Sequence, residues 1–432
     1  MLTREENELL CRVGPGTPMG NLVRRFWIPA ASSADFVPGG APKRVRLVGQ
    51  DFVLFRDRAG RIGLLDELCP HRGASLTLAR NEDCGLRCIY HGWKIGVDGT
   101  VLETPSEPED STFKNRVRAG AYPTYDAGGL VWVYLGPAAL EPARMNFDFT
   151  TLPEDRCMVL QLQVHCNFMQ PIEGVIDSAH SNFLHADTFK PTAHIDQSLL
   201  LDDLTVQRPS NDTRPRADLQ NTDYGFRYAA LRKPLVSPET QQYVRVTEFV
   251  APFYGMFPAS KGYGNTQAFV PIDDEHTMLY FIKYHYERPI EAAERQLHYE
   301  WSKAIPGRDV DAEYRTRRTR ENGWLQDRAA MESGASFSGI KGVQIEDAVV
   351  QESMGRIYDR TQEHLGASDV AVIRMRRLMI DAARALADGD AAPFGVNRRT
   401  DYTDIQALER IIPLRDSWQA LYAPERREEV AP

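Results

Sequence analysis

Apolar and polar positions change period along this chain. From Arg44 to about Leu135 the rhythm is that of short strands. RVRLVG (44–49), FVLFRD (52–57), IGLLDE (62–67) and VWVYLG (131–136) alternate or run apolar between turn dipeptides such as Ala59-Gly60 and Asp98-Gly99. The pattern predicts a small antiparallel β domain. Ahead of it, residues 2–12 read as a helix with Thr3 as N-cap and Glu5 and Glu6 in the first turn, where negative charge suits the helix dipole. Val13–Gly20, rich in Gly and Pro, reads as loop. A second region opens with alternating MVLQLQVHC (158–166), continues as a helical stretch over 167–186, and returns to strands across 240–286. Helical periodicity marks 288–304, 346–365 and 369–388, the last with Ser368 and Asp369 as cap signals and Gly389 as a stop. The expected class is α+β: an N-terminal helix and small β domain over 1–140, then a larger sheet-with-helices domain over 141–432.

Composition narrows the function. With 42% hydrophobic and 26% charged residues, the chain can bury sizeable cores without disulfides or metals to hold them. No apolar run approaches the roughly 18 residues of a membrane span. The opening MLTREENELL lacks the basic and apolar regions of a signal peptide, so a cytoplasmic location is expected. A net charge of −9 argues against nucleic acid or an anionic membrane as the main partner, and an anionic substrate would need a local basic pocket. Six cysteines in such a chain do not form a disulfide framework, and the closeness of Cys69, Cys84 and Cys88 points to metal.

Cys69-Pro70-His71 is followed, after sixteen intervening residues, by Cys88-Ile89-Tyr90-His91. Two Cys and two His can hold a tetrahedral zinc or a [2Fe–2S] cluster in which imidazoles replace thiolates on one iron. Zinc fingers usually pair Cys with Cys and His with His in sequence. Here each hairpin supplies one of each, which suits one iron taking both sulfurs and the other both imidazoles. Gly73, Gly85, Gly92 and Gly96 allow tight loops, and Trp93 would exclude water; Cys84, with no paired His, is not expected to be a ligand.

Downstream, NFMQPIEGVIDSAHSNFLHADTF (167–189) holds Asp177, His180 and His185. On a helix Asp177 and His180 would share a face, whereas His180 and His185 would lie about 140° apart. Both can bind one metal only if the helix distorts or ends between them. Two His and one carboxylate with open positions are the usual site for Fe(II) that meets O2. Asn167 and Gln170 could orient water or a ligand histidine. Capping amides are an equal reading.

CPHRGASL followed by CIYHGWKIGVDG resembles the Rieske domain of ring-hydroxylating oxygenases, and E-G-x-x-D-x-x-H-x-x-x-x-H resembles the mononuclear-iron motif of the same family. ENELL-x-RVGPGTPMG and QESMGRIYDRTQEHLGASDVAVIRMRR extend the likeness over nearly the whole chain, toward the phthalate dioxygenase type. The resemblance implies a Rieske domain within 1–140 and a helix-grip-like catalytic domain within 141–432. It implies Cys69, His71, Cys88 and His91 as cluster ligands and His180 and His185 as Fe(II) ligands. Asp347 is the implied third ligand, with Asp359 as runner-up, and Asp177 a carboxylate bridging His180 to His91 of a neighbouring subunit. It further implies α subunits in trimers or stacked trimers, and a separate reductase with FMN and a plant-type [2Fe–2S] cluster fed by NADH. O2 would convert an aromatic carboxylate to a cis-dihydrodiol. Arg208, Arg245 and Ser178 are the candidates to bind that acid; structural ion pairs are the alternative for the arginines. No G-x-G-x-x-G follows a strand, so NADH is not expected on this chain. A demethylase-type monooxygenase would use the same ligands. A Rieske electron carrier with a non-catalytic domain is the rival from another class.

Overall fold

In the computed structural model, which describes residues 1–193, 206–259, 262–389, 401–403 and 405–422, the first helix starts where its cap signals lie. Thr3 accepts the Glu6 amide and Glu6 accepts the Thr3 amide, which starts α1 (Arg4–Cys11). The loop expected over Val13–Gly20 is cut short. Thr17 caps α2 (Pro18–Val23), because proline at the first helical position sacrifices no hydrogen bond.

Eleven strands follow: β1 (Trp27–Ser32), β2 (Lys43–Leu47), β3 (Gln50–Arg56), β4 (Ile62–Asp66), β5 (Arg80–Glu82), β6 (Gly85–Arg87), β7 (Lys94–Ile95), β8 (Val101–Glu103), β9 (Ala121–Tyr122), β10 (Thr124–Ala127) and β11 (Leu130–Tyr134). They make three antiparallel sheets ordered β2-β3-β4-β9, β5-β6-β7-β8 and β1-β11-β10. The small β domain predicted from 44 to 135 is therefore present. A short α3 (Asp148–Thr151) leads to β12 (Cys157–Val164), α4 (Met169–Ile176), the parallel pair β13 (Phe189–Pro191) and β14 (Val206–Arg208), then β15 (Arg216–Asn221), β16 (Gly225–Arg232), β17 (Gln241–Val250), β18 (Tyr254–Met256), β19 (Tyr263–Pro271) and β20 (Thr277–His285). Next come α5 (Ala292–Ser302), α6 (Arg328–Glu332), α7 (Val343–Ser353), α8 (Val370–Ala387) and β21 (Glu409–Pro413). The large sheet runs β12-β20-β19-β18-β17-β16-β15, with β21 also paired to β17. Strands β16, β19 and β20 are buried almost end to end, polar residues such as Asn265, Thr266 and Gln267 included. An aromatic stack of Tyr125, Trp132 and Tyr254 joins the β1-β11-β10 sheet to the large one. Among the described residues, no helix is long and apolar enough to cross a membrane.

Two helical stretches end earlier than their periodicity suggests. The 167–186 segment is helical only to Ile176; Asp177 leaves the helix with extended backbone and its carboxylate accepts the Ala179 amide at 2.7 Å. Such a side-chain turn competes with helix continuation, so Asp177 and His180 do not share a helix face. The 346–365 segment begins at Val343 and stops at Ser353, followed by Gly355 with φ of 96°. Strands β15, β16 and β21 escaped the apolar pattern.

A buried ionic network anchors α4, the helix that leads into the two histidines. Glu173 accepts Nε of Arg360 at 2.8 Å and Nε of Arg376 at 2.7 Å, and Arg376 also pairs with Glu363. Arg360 reaches back to Asn7 and Cys11 on α1, both at 3.2 Å. Burial favours neutral Glu173, yet the two guanidiniums hold its carboxyl below the usual range. Glu173→Gln should lower stability by roughly 3–5 kcal/mol in urea unfolding at pH 7, because it takes the carboxylate from buried Arg360 and one of two carboxylates from Arg376. The deficit should shrink as pH falls through the depressed value, where wild-type Glu173 takes up a proton itself.

Candidate metal centres

Two loops of matching construction carry the Cys/His quartet. The Cys69 amide donates to Ala74 O at 2.8 Å and the Gly73 amide to Cys69 O at 2.9 Å; the Cys88 amide donates to Trp93 O at 2.9 Å and the Gly92 amide to Cys88 O at 3.0 Å. Each loop closes through a glycine with positive φ, 70° at Gly73 and 75° at Gly92. The rings of His71 and His91 lie 4.4 Å apart, and Trp93, 1% exposed, stacks on His71. Cys69 and Cys88 are buried and unbridged, while Cys84 is exposed. Burial, with Cys88 alongside, pushes the Cys69 thiol up to about 11, and the His71 and Arg72 amides pull against that rise. Two buried thiols beside two imidazoles form a donor set that a metal centre completes.

The second site forms where α4 has ended and α7 passes alongside. His180 Nε2 lies 3.2 Å from His185 Nε2, and Asp347 Oδ1 lies 3.5 and 3.2 Å from those two nitrogens. Donor spacings of this size fit one ion bonded at roughly 2.2 Å by three ligands on one side. The sequence pattern did not reveal what orients them. His185 Nδ1 sits 2.7 Å from Glu346 Oε2, and Ser338 Oγ donates to Glu346 Oε1 at 2.5 Å. Burial disfavours charge on His185, but Asp347 and Glu346 overcome it and push the imidazole up to about 9. Glu346 and Asp347 are consecutive on a helix, about 100° apart, so one element serves both nitrogens of His185. Their adjacency was the only signal available. Asp177 Oδ2 lies 3.6 Å from His180 Nδ1.

Both metal-site histidines, Asp177 and Asp347 face a cavity whose space, mouth included, is about 760 Å³. Arg208, Arg245 and Ser178 line it too, together with Phe269, Leu279 and Phe281. Arg208 is 4% exposed and donates to Asn182 Oδ1 at 2.6 Å and Ser181 Oγ at 3.1 Å, both neutral acceptors. Burial, then Arg245, makes its charge costly. Arg245 rests over Phe257 and, among the described residues, has no carboxylate partner. A third arginine went unpredicted: Arg232 donates to the Ser178 carbonyl at 2.8 Å and hydroxyl at 3.0 Å. The apolar stretch before Arg208 lies partly outside the described residues. Other candidates sit elsewhere. Asn167 is fully buried, donates to Cys11 O and Asp274 O and accepts the Met169 amide, so it braces backbone and does not line the cavity. Gln170 likewise ties Gln351 O, Gly355 O and the Tyr358 amide together. Asp359 is exposed and bonded to Thr361, away from the histidines.

Glu346→Ala should weaken iron binding about 10- to 100-fold while the cluster absorbance stays intact, read as iron retained after dialysis. His180→Ala should lose the iron outright with the same cluster spectrum.

Comparison with known proteins agrees with this geometry. Residues 26–123 match the Rieske [2Fe-2S] domain and residues 133–432 the LigXa C-terminal domain like family. The chain is 42% identical to the phthalate 4,5-dioxygenase oxygenase subunit of Pseudomonas putida, over 97% of this chain and 94% of that one. It is 34% identical to the 3-chlorobenzoate-3,4-dioxygenase oxygenase subunit of Comamonas testosteroni, over 98% of each. The solved structure of Pseudomonas putida CBB5 NdmA QL mutant with caffeine shares the fold, with a TM-score of 0.59 at 17% identity, covering 88% of this chain and 96% of that one. This chain belongs to the Rieske non-haem iron oxygenases, as an oxygenase subunit that carries a [2Fe–2S] cluster and a mononuclear iron.

Proposed function

We propose that this subunit cis-dihydroxylates an aromatic carboxylate of the phthalate or chlorobenzoate class, with O2 and with electrons from a separate NADH-dependent reductase. One observation carries the reading: Arg208 and Arg245 line the same cavity as the His180–His185–Asp347 trio, without carboxylate partners among the described residues. A guanidinium offers a planar fork that matches a carboxylate, and an arriving anion relieves the burial cost borne by Arg208. The names of the two oxygenase-subunit relatives point to acids of the same class.

In this reading Arg208 and Arg245 hold the acid group, and the wall of Phe269, Leu279 and Phe281 seats the ring. Ser178, its hydroxyl fixed by Arg232, donates to a substrate oxygen. His180, His185 and Asp347 hold the iron, with Glu346 keeping the Nε2 atom of His185 free to ligate. Cys69, His71, Cys88 and His91 hold the cluster. When bound, these centres supply single-electron delivery and dioxygen activation. Asp177, beside His180, bridges toward the partner subunit's His91 in a homotrimer or a stack of two trimers. The catalytic half extends over 141–432 and the cluster half over 1–140. The reductase brings FMN and a plant-type [2Fe–2S] cluster, and the system works in the cytoplasm.

The test is turnover of a benzoate panel with a surrogate reductase and labelled O2. A dihydrodiol with both oxygens labelled supports the reading; a phenol or demethylated acid with one labelled oxygen moves it to a monooxygenase. Arg245→Leu should raise KM for the acid about 10- to 100-fold, since one charged hydrogen-bond partner is lost, with iron content unchanged. Asp177→Asn should retain both metals and slow cluster-to-iron electron transfer in single-turnover measurements.

A further inference from the structure

Beside the cavity, the same face of the large sheet carries a second set of polar groups. Lys283 lies two residues past Phe281 on β20, Asn265 lies two residues before Gln267 on β19, and the two are partners in the strand register. Because side chains alternate along a strand, both share the face from which Phe281 and Gln267 line the cavity. Helix α5 adds His298 and Trp301. The Lys283 ammonium lies 5.3 Å from the Trp301 ring, and Trp301 itself lines the cavity. Asn265, Lys283, His298 and Trp301 are 3, 4, 4 and 7% exposed.

Among the described residues, both amide atoms of Asn265, Nδ1 of His298 and Nε1 of Trp301 find no hydrogen-bond partner. Among the described residues Lys283 forms no ion pair, and burial is the sole influence that pushes its ammonium down, to about 8. Burial, with Lys283 nearby, pushes His298 down to about 3, so its ring is neutral. Orphaned buried atoms occur elsewhere in the protein, but here four of them gather around one lysine beside the cavity, which leaves hydrogen-bonding capacity for an occupant. The set is rich in donors (an ammonium, an amide NH2, an indole N–H) and has no carboxylate. That composition suits an oxyanion or another oxygen acceptor.

We propose that Lys283, Asn265 and Trp301 form a distal acceptor subsite of the cavity, and that the preferred substrate is an aromatic acid bearing a second oxygen group, hydroxyl or carboxylate, on the side of the ring away from Arg208 and Arg245. This rests on the aromatic-acid reading above. Lys283 and Arg245 stand on strands three places apart in the sheet, about 14 Å between backbones at about 4.8 Å per strand. A benzene ring with polar groups at opposite ends, together with two long basic side chains, fills such an interval.

The experiment compares benzene-1,2-dicarboxylate with its 4-hydroxy and 4-carboxy analogues on the holoenzyme with a surrogate reductase. The wild type should prefer the analogues in kcat/KM. Lys283→Met should raise KM for the analogues about 10- to 100-fold while leaving that for the parent acid nearly unchanged. Equal losses on all three acids would assign Lys283 to packing and overturn the proposal. Calorimetric binding to the wild type needs no variant: the analogues should bind at least about tenfold more tightly, and equal affinities overturn it. If added bromide abolishes the preference in that assay, an inorganic anion holds the subsite and the substrate assignment falls. If the wild type turns over none of the acids, the aromatic-acid reading itself fails, and this proposal with it.

Discussion

The hydrogen bond between His185 and Glu346 governs the geometry of the second metal centre. Both side chains are almost completely buried, at 3% and 2% exposure, where an unpaired carboxylate would be strongly disfavoured. Ser338 satisfies one oxygen of Glu346 and His185 the other. With Nδ1 engaged, Nε2 is the nitrogen left to meet a metal, which settles the ring's orientation and its ligating atom together. Asp347, the next residue on α7, is then delivered to the same point. The iron site thus depends on where α7 docks against the turn that follows α4.

That docking is secured from behind. Glu173 on α4, Arg360 beyond α7 and Arg376 on α8 form one ionic network, which also reaches Asn7 and Cys11 on α1. Gln170 ties the start of α4 to the end of α7 and the segment after it, and Asn167 ties it to the end of α1 and the β19–β20 turn. Residues that read as possible helpers of the metal therefore act one layer out, holding the elements that carry the ligands. The β2–β3 hairpin is fastened in the same way, with the Val48 amide donating to Pro271 O and the Gly49 amide to Ile272 O.

Charge is distributed against the average. The chain carries a net charge of −9, yet Arg208, Arg245 and Arg232 gather around one cavity. Burial and the neighbouring guanidiniums make the charges of Arg208 and Arg232 costly there. A site that concentrates unpaired cations in an acidic protein selects anions by local field, whatever the sign of the distant surface. The aromatic and aliphatic side chains that share the cavity add a preference for a flat apolar body.

The Cys/His quartet was legible in the sequence because each half of it is local: a Cys and a His within one tight loop, closed by Gly73 or Gly92. Strands β2, β3, β4 and β11 and the capped α1 were legible for the same reason, since alternation and caps act over a few residues. His180 and His185 were visible, but their helix was overextended, because apolar periodicity cannot register the Asp177 side chain turning the backbone aside. Arg232, Glu346 and Lys283 were not legible as site residues. A polar residue in a strand or helix reads alike whether it faces water or a cavity, and Glu346 meets His185 across 161 positions of chain. The sequence by itself determined the donor types and the local loops that present them. Only the tertiary structure decided which carboxylate joins the two histidines and where unpaired cations collect, because those outcomes depend on the packing of elements far apart in the chain.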